Sequence, residues 1–205
     1  MKAHGLGTVM VVAAIVLVPA ANDAQGLDIA LENNTLDGCQ AAPGDVFDQL
    51  IQLLSQRGHT AVVVTGDQID TAGEIEAWDV VVFGAGSFSC GWDWLLFDGV
   101  IEAYVRGGGG LVVTGWGAYY MAENPNSETF PGLEATLPVL PGVSNTAGTP
   151  ISIRLGHPIT RNVGSFVNPT YNSCGGGIPP GAMVLIDDGT LDCGAAWSLD
   201  AGRAV

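Results

Sequence analysis

Short apolar runs alternate with turn residues along the chain and predict strands that are separated by helices. Three such runs predict strands, namely Leu27–Leu31, Ala61–Val64 and Val80–Phe83. Continuous apolar runs without polar alternation are typical of parallel strands that are buried on both faces. Apolar residues at helical spacing from Val46 to Leu54 predict a helix between the first two strands, ending at Arg57-Gly58.

The same rhythm continues in the middle of the chain. A second helix is predicted from about Trp94 to Val105, and the glycines Gly107–Gly110 connect it to a strand over Leu111–Thr114. Strand, helix, strand, strand, helix and strand in this order favour a doubly wound α/β sheet with three layers and mostly parallel strands.

The C-terminal third has a different character. Residues 121–150 hold five prolines without a clear period and predict an irregular excursion rather than a second domain. Short strands are expected at Ile151–Leu155, Ala182–Ile186 and Ala195–Leu199. Because the chain stops within an apparent strand, we expect the domain of residues 27–205 to continue beyond Val205.

The N-terminus has the plan of a secretory signal peptide. A basic start at Lys2 precedes an apolar stretch from Leu6 to Val18 and small residues at the expected cleavage site after Ala20, or as late as Ala24. Residues 1–20 are therefore predicted to be removed; a retained N-terminal anchor or a buried first strand is the alternative. The mature protein would be secreted, periplasmic or attached to the cell surface, with no membrane contact of its own.

Charge excludes several classes of partner. The chain has 21 acidic residues against six basic ones and a formal net charge of −15, while 47% of its residues are hydrophobic. Such an acidic surface repels phosphate backbones and anionic headgroups, so nucleic acid is not an expected partner. The apolar content is sufficient for a full core and excludes intrinsic disorder.

Four cysteines in an exported chain permit disulfides. Their spacing contains no Cys-x-x-Cys pair, so it does not predict a zinc site. Three pairings are possible, and we favour Cys39 with Cys90 and Cys174 with Cys193. Four buried free thiols are the alternative.

Four stretches recur together in one known group of proteins. They are Trp78–Gly84, Tyr104–Gly110, Leu111–Gly117 and Gly156–Thr160. From residue 27 to 205 the chain resembles the class I glutamine amidotransferase-like superfamily, particularly its trehalose-utilisation (ThuA-like) and uncharacterised secreted branches. The resemblance implies a flavodoxin-like, three-layer fold.

The resemblance also identifies where a nucleophile would be. Catalytic members place a cysteine on the tight turn after the fourth strand, where the turn favours a thiolate. Gly117 occupies that position here, in Gly115–Tyr119. Glycine has no side chain that attacks a carbonyl, so the amidase chemistry of the superfamily is not expected.

His157 precedes Pro158 in a pair that these families share, and we expect it near the strand ends that bind ligands. It could act as a base with Glu32, Asp67 or Asp93, or it could merely precede a helical turn that begins at Pro158. No second histidine is positioned for a metal pair, so neither a metal nor a cofactor is predicted.

Several loops carry further candidate chemistry. Gly84–Ser87 follows a strand and precedes a helix, so its backbone N–H groups could bind an anion, or its small residues could simply permit a turn. Gly107–Gly110 follows a helix and is expected to be a C-cap and turn. Three acidic residues favour hairpin turns over a calcium site, namely Asp187, Asp188 and Asp192.

Aromatic residues in the two loops at the strand ends could stack on a flat ligand or could cap the core. These residues are Trp92, Trp94, Trp116, Tyr119 and Tyr120. The expected function is an exported, non-catalytic module that binds a small molecule, a glycan or a protein at these loops; the alternative is a carbohydrate-active or other enzyme that uses His157 with a carboxylate. The predicted ligand-binding residues are Asn33, Gly86, Ser87, Trp116, Tyr119 and His157.

Overall fold

The structure is a computed structural model. It describes residues 26–33, 46–83, 97–113, 130–139, 150–154, 156–160, 163–167 and 177–205. The strands are β1 (Asp28–Glu32), β2 (Thr60–Val64), β3 (Val80–Phe83), β4 (Gly110–Val113), β5 (Pro150–Ile153), β6 (Phe166–Val167), β7 (Met183–Asp187), β8 (Asp192–Leu199) and β9 (Gly202–Ala204). The helices are α1 (Val46–Ser55), α2 (Ala72–Ile75), α3 (Asp98–Gly107) and α4 (Pro131–Glu134), with 3-10 turns at Gly66–Gln68 and Pro158–Thr160.

These strands form one sheet in the order β2-β1-β3-β4-β9-β8-β7-β5-β6. The first five run parallel, in the 2-1-3-4-5 order of flavodoxin-like folds with β9 as the fifth strand. The remaining strands pair antiparallel and extend the sheet beyond β9. The predicted doubly wound α/β class is confirmed.

Helices cover the parallel strands on both faces. Phe47, Leu50 and Leu54 of α1 pack on one face, against alternate residues of β1 and β3 such as Ile29 and Val82. The opposite face carries the larger apolar cluster, to which α2, α3 and α4 contribute. Successive strand residues point to opposite faces, so the uninterrupted apolar runs serve both layers.

The glycine-rich turn between α3 and β4 ends the helix, as predicted. Gly108 has a φ of +124°, a backbone conformation that side chains disfavour. A Cβ on Gly109 would lie 2.2 Å from the Tyr104 ring, and one on Gly202 would lie 1.8 Å from the carbonyl oxygen of Val105. Gly109 therefore lets the turn pack against Tyr104, and Gly202 lets β9 approach α3 closely.

Two predictions concern regions that the structure does not describe. The signal peptide at residues 1–20 lies outside the described residues and stays a prediction, as does the irregular character of most of residues 121–150. Within the described part of the chain, no helix combines the length and the apolar character needed to cross a membrane.

Candidate functional site

The carboxyl ends of β1 and β3 form the topological switch point of the parallel sheet. The chain leaves β1 through α1 towards β2 on one side, and it leaves β3 towards α3 and β4 on the other. Because the two connections cover opposite faces, a crevice opens between these strand ends, and open α/β sheets bind their ligands there.

Glu32 is the last residue of β1 and therefore lies at this switch point. Its side chain is buried, with 2% of the residue exposed. It pairs in register with Val64 of β2, which belongs to the larger apolar cluster. The carboxyl oxygen Oε2 has no hydrogen-bond partner within the described residues. A buried polar group without a partner is costly, so its presence at this edge requires an explanation.

Burial changes the acidity of this carboxyl group. Desolvation raises the pKa of Glu32 to about 8, because burial removes the water that stabilises the charged form. Glu32 is consequently protonated at neutral pH. In this form it donates one hydrogen bond and accepts others, and a pKa in this range suits a general acid.

The turn after β2 forms one rim of the site. The Asn33 N–H donates to the carbonyl of Val64 at 2.9 Å. The Thr65 N–H donates to Oε1 of Gln68 at 2.9 Å, and the Thr65 hydroxyl contacts both Gln68 and Asp67. The turn is thus held by its own side chains.

This rim is acidic. The pKa of Asp70 is raised by desolvation and by the nearby charges of Glu74 and Asp67. The Thr71 hydroxyl donates to Glu74 at 2.6 Å, which keeps that carboxylate beside the start of α2. Asp67 and Glu74 are exposed, so the rim presents negative charge to solvent.

The arginines of the described chain lie elsewhere. Three of them lie at the amino edge of the sheet: Arg57 follows the end of α1, Arg106 is in the last turn of α3, and Arg203 is in β9. Arg106 bonds Glu102 at 2.9 Å and Asp200 at 2.8 Å. The fourth described arginine is on the antiparallel extension, so no described arginine is placed beside Glu32.

His157 does not lie at the carboxyl ends of the parallel strands, where the sequence analysis expected it. It follows β5, which runs antiparallel to the five parallel strands, so its end lies at their amino edge rather than at the carboxyl edge. β5 is also six strand spacings from β1, roughly 29 Å across the sheet. The structure therefore does not bring His157 and Glu32 together.

The contacts of His157 match the alternative interpretation. Its Nδ1 accepts the N–H of Ile159 at 3.2 Å, and its carbonyl accepts the N–H and the hydroxyl of Thr160 at 3.0 and 3.1 Å. His157 thus precedes and stabilises the 3-10 turn that begins at Pro158. Ligand binding by His157 stays a prediction.

The acidic residues between β7 and β8 form a hairpin, as the sequence favoured. Oδ1 of Asp188 accepts the N–H groups of Thr190 and Leu191 at 2.8 and 2.7 Å. Oδ2 of Asp187 pairs with Arg154 at 2.7 Å, and the hydrogen bond from Arg154 lowers the pKa of Asp187. Within the described ranges, no cluster of three potential metal ligands occurs.

Other predicted site residues lie outside the described residues. They are Asp93, Gly86, Ser87, Trp92, Trp94, Trp116, Gly117, Tyr119, Tyr120, Cys39, Cys90 and Cys174. Cys193 lies in β8 and is not a free thiol. The disulfide pairing and the aromatic ligand surface therefore stay predictions.

Sequence reasoning gave Glu32 only a secondary role, as one of three partners for His157. A signal was present, because an acidic residue directly after the apolar run of β1 is placed at the end of a buried strand. Its burial depends on Val64 of β2, which is distant in the sequence and paired only by the fold.

Solved structures share this architecture. No protein-family model and no curated protein matches the chain. A cytoplasmic protein of Salmonella typhimurium LT2 has a TM-score of 0.61 at 17% identity, over 87% of this chain and 86% of its own. A protein described as ThuA-like from Bacteroides uniformis ATCC 8492 has a TM-score of 0.57 at 16% identity, over 92% and 84%.

A third structure extends the comparison to amidotransferases. It is described as a GMP synthase component from Thermoplasma acidophilum, with a TM-score of 0.53 at 16% identity, over 89% of this chain and 84% of its own. The chain has their fold. At these identities the likeness shows the fold alone and carries no activity over.

Proposed function

We propose that this protein is an exported binding module that takes a small molecule at the carboxyl edge of its parallel sheet, beside Glu32. Glycans and proteins are the other ligands that the loops at this edge would suit. Recognition is noncovalent, with the Glu32 carboxyl group as the buried polar anchor.

One observation carries this proposal. Glu32 is a buried carboxyl group with an oxygen that lacks a partner among the described residues, at the point where this type of sheet binds ligands. A residue with no ligand role would be more stable there as an apolar side chain, because neighbouring Val64 belongs to the apolar cluster. Binding of a polar ligand group would satisfy the free oxygen.

The sequence supports a noncovalent function. The amidotransferase-like resemblance places Gly117 where catalytic relatives have cysteine, and glycine supplies no nucleophile. We therefore expect no release of ammonia from glutamine. We also expect that Gly117→Cys alone creates no activity, since a working site needs an oriented base and oxyanion donors as well.

Export is part of the proposal and rests on residues 1–20. The basic start, the apolar stretch and the small residues before the cut are those of a signal peptide. The mature N-terminus is expected within residues 21–27, and mass spectrometry of the exported protein measures it directly. An intact Met1 on the exported form would contradict cleavage.

A second candidate function is an enzyme in which Glu32 acts as a general acid. The observation that favours it is the pKa of about 8, which keeps a proton available at neutral pH. His157 is not its partner, because β5 lies far from β1 in the sheet. Turnover of any bound ligand, lost in Glu32→Gln, would support the enzyme over the binding module.

The test of the binding proposal compares two matched variants. Glu32→Gln removes the carboxyl group at the switch point, whereas Glu76→Gln removes an exposed carboxylate near the start of β3, at the amino edge. Thermal unfolding would be followed with a panel of neutral sugars, organic cations and organic acids. We expect a stabilising ligand for the wild type and Glu76→Gln that does not stabilise Glu32→Gln. If every stabilising ligand acts equally on wild type, Glu76→Gln and Glu32→Gln, the proposal that ligands bind at Glu32 is wrong.

A further inference from the structure

We propose that the ligand group recognised at Glu32 is an organic cation, a guanidinium or a primary ammonium, which forms an ion pair with the Glu32 carboxylate. This inference rests on the proposed function, because it names the ligand class of the same site. Its support is the chemistry of the buried carboxyl group and the acidic residues on the elements that begin at the same edge of the sheet.

Within the described residues, the Oε2 oxygen of Glu32 lacks the partner that a buried carboxylate requires. Buried charges are stable when they are paired, and an unpaired acid retains its proton instead. No described arginine is placed beside Glu32, and its Oε2 has no partner within the described residues. An arriving cation would supply the missing half of the pair. Guanidinium fits a carboxylate particularly well, because two parallel N–H groups meet its two oxygens.

The surrounding charges favour the same ligand class. The segment after β2 contributes Asp67, Asp70 and Glu74, and the first turn of α3 contributes Asp98, whose Oδ1 accepts the N–H of Leu133 at 2.9 Å. Strand β3 contributes no ionisable residue. Desolvation alone accounts for the raised pKa of Glu32, so these carboxylates lie too far from Glu32 to change its charge state and act on a cation during its approach to this edge of the sheet. Their negative field attracts cations and repels anions.

Binding of a cation at Glu32 releases a proton to solvent, whereas binding of a neutral ligand does not. At neutral pH Glu32 carries its proton, which must leave for solvent as the carboxylate pairs with the cation. No covalent bond forms or breaks in the ligand. Affinity for a cation therefore falls by about tenfold for each pH unit below the pKa of Glu32, with release of about one proton per ligand. A neutral ligand uses the protonated carboxyl group as it stands and releases no proton.

Methylguanidinium and methylurea provide a matched pair of probes, because they have nearly the same shape and differ in charge. Isothermal titration calorimetry of the full chain at fixed ionic strength would cover pH 6, 7 and 8, in two buffers that differ in ionisation enthalpy. We expect methylguanidinium to bind about tenfold more tightly at pH 7 than at pH 6. It should release close to one proton at pH 7, and methylurea should bind more weakly. Glu32→Gln should lose the pH dependence and the proton release, and Glu76→Gln should keep both.

The outcomes separate this inference from the proposed function. Methylurea or a sugar could bind through Glu32 without proton release while methylguanidinium does not bind. This result would refute the inference that the ligand is a cation, and it would retain the proposed binding site at Glu32. No Glu32-dependent binding by any probe would overturn both. If Glu32→Gln does not fold, carboxyl NMR of the wild type decides: saturating methylguanidinium should lower the Glu32 midpoint by more than about one pH unit. An unchanged midpoint would overturn the inference.

Discussion

Glu32 lies directly opposite Val64 in the parallel pair of β1 and β2. Residues paired in register share a face of the sheet, so the carboxyl group shares the face on which Val64 joins the larger apolar cluster. An ionised carboxylate is strongly disfavoured in such a setting, and the protonated form is retained to about pH 8. A packing relationship between two strands thus determines the chemistry of the proposed site.

The first prediction concerns stability and pH. The pKa of Glu32 is raised from 4.5 in the unfolded chain to about 8 in the folded protein, so the unfolded state loses the proton first. The contribution of Glu32 is most favourable below pH 4.5 and is lost progressively as the pH rises to 8. We therefore compare the unfolding free energies of Glu32→Gln and wild type at pH 5 and at pH 7. The difference between them should shift in favour of Glu32→Gln by about 2 kcal/mol from the lower to the higher pH.

Urea denaturation at both pH values measures this difference. Glu76→Gln is the control, because Glu76 is exposed and should show no comparable growth of the difference with pH. A constant difference between wild type and Glu32→Gln across this range would show that the carboxyl group is not held protonated by burial.

The sequence predicted β1 to β4 well, because each contains a continuous apolar run, and β3 is buried on both faces as such a run indicates. β2 is the edge strand, so its Val62 and Val63 are exposed instead. Val80–Phe83 and the glycine turn before β4 were predicted where the structure has them. The direction of β5 could not be predicted, since it depends on antiparallel pairing with β7, about 30 residues later in the chain. This is why His157 was expected at the wrong edge. Local patterns identify elements, whereas the edge at which a residue lies is a property of the whole sheet.

The second prediction concerns a buried hydroxyl group. The Tyr104 hydroxyl donates to the carbonyl of Trp78 at 3.0 Å and tethers α3 to the segment before β3. Burial raises the pKa of this phenol, which keeps it a donor throughout the accessible pH range. Tyr104→Phe retains the ring but leaves the carbonyl without this donor, and we expect a loss of about 1 kcal/mol by urea denaturation. An unchanged midpoint would mean that water replaces the bond at no cost.

The third prediction compares two glycines at the junction of α3 and β9. In Gly202→Ala the new methyl group would meet the Val105 carbonyl oxygen at 1.8 Å, and this backbone atom cannot move aside. We expect a loss of roughly 2 to 4 kcal/mol in unfolding free energy. Gly107→Ala is the matched control, because its methyl group would meet nothing within 4 Å. It should be neutral or stabilising by up to about 1 kcal/mol. Equal effects of the two substitutions would contradict the close approach of β9 to α3.

The fourth prediction concerns the cysteines of the exported protein. We expect Cys174 to pair with Cys193, which would close a loop in the glycine-rich part of the chain and contribute roughly 3 kcal/mol. Thiol labelling of the unfolded, unreduced protein should find at most two free cysteines, and peptide mapping should identify the pair. Four free thiols would refute the disulfide.

The protonation midpoint of Glu32 tests the central claim most directly. Protein labelled with ¹³C at glutamate carboxyl groups would be titrated from pH 4 to pH 10, and the Glu32 resonance would be assigned by its absence in Glu32→Gln. The buried carboxyl group at the switch point, which has no partner within the described residues, should titrate at about pH 8. A midpoint near 4.5 would show that Glu32 is solvated or already paired in the free protein, and that the site we describe does not exist.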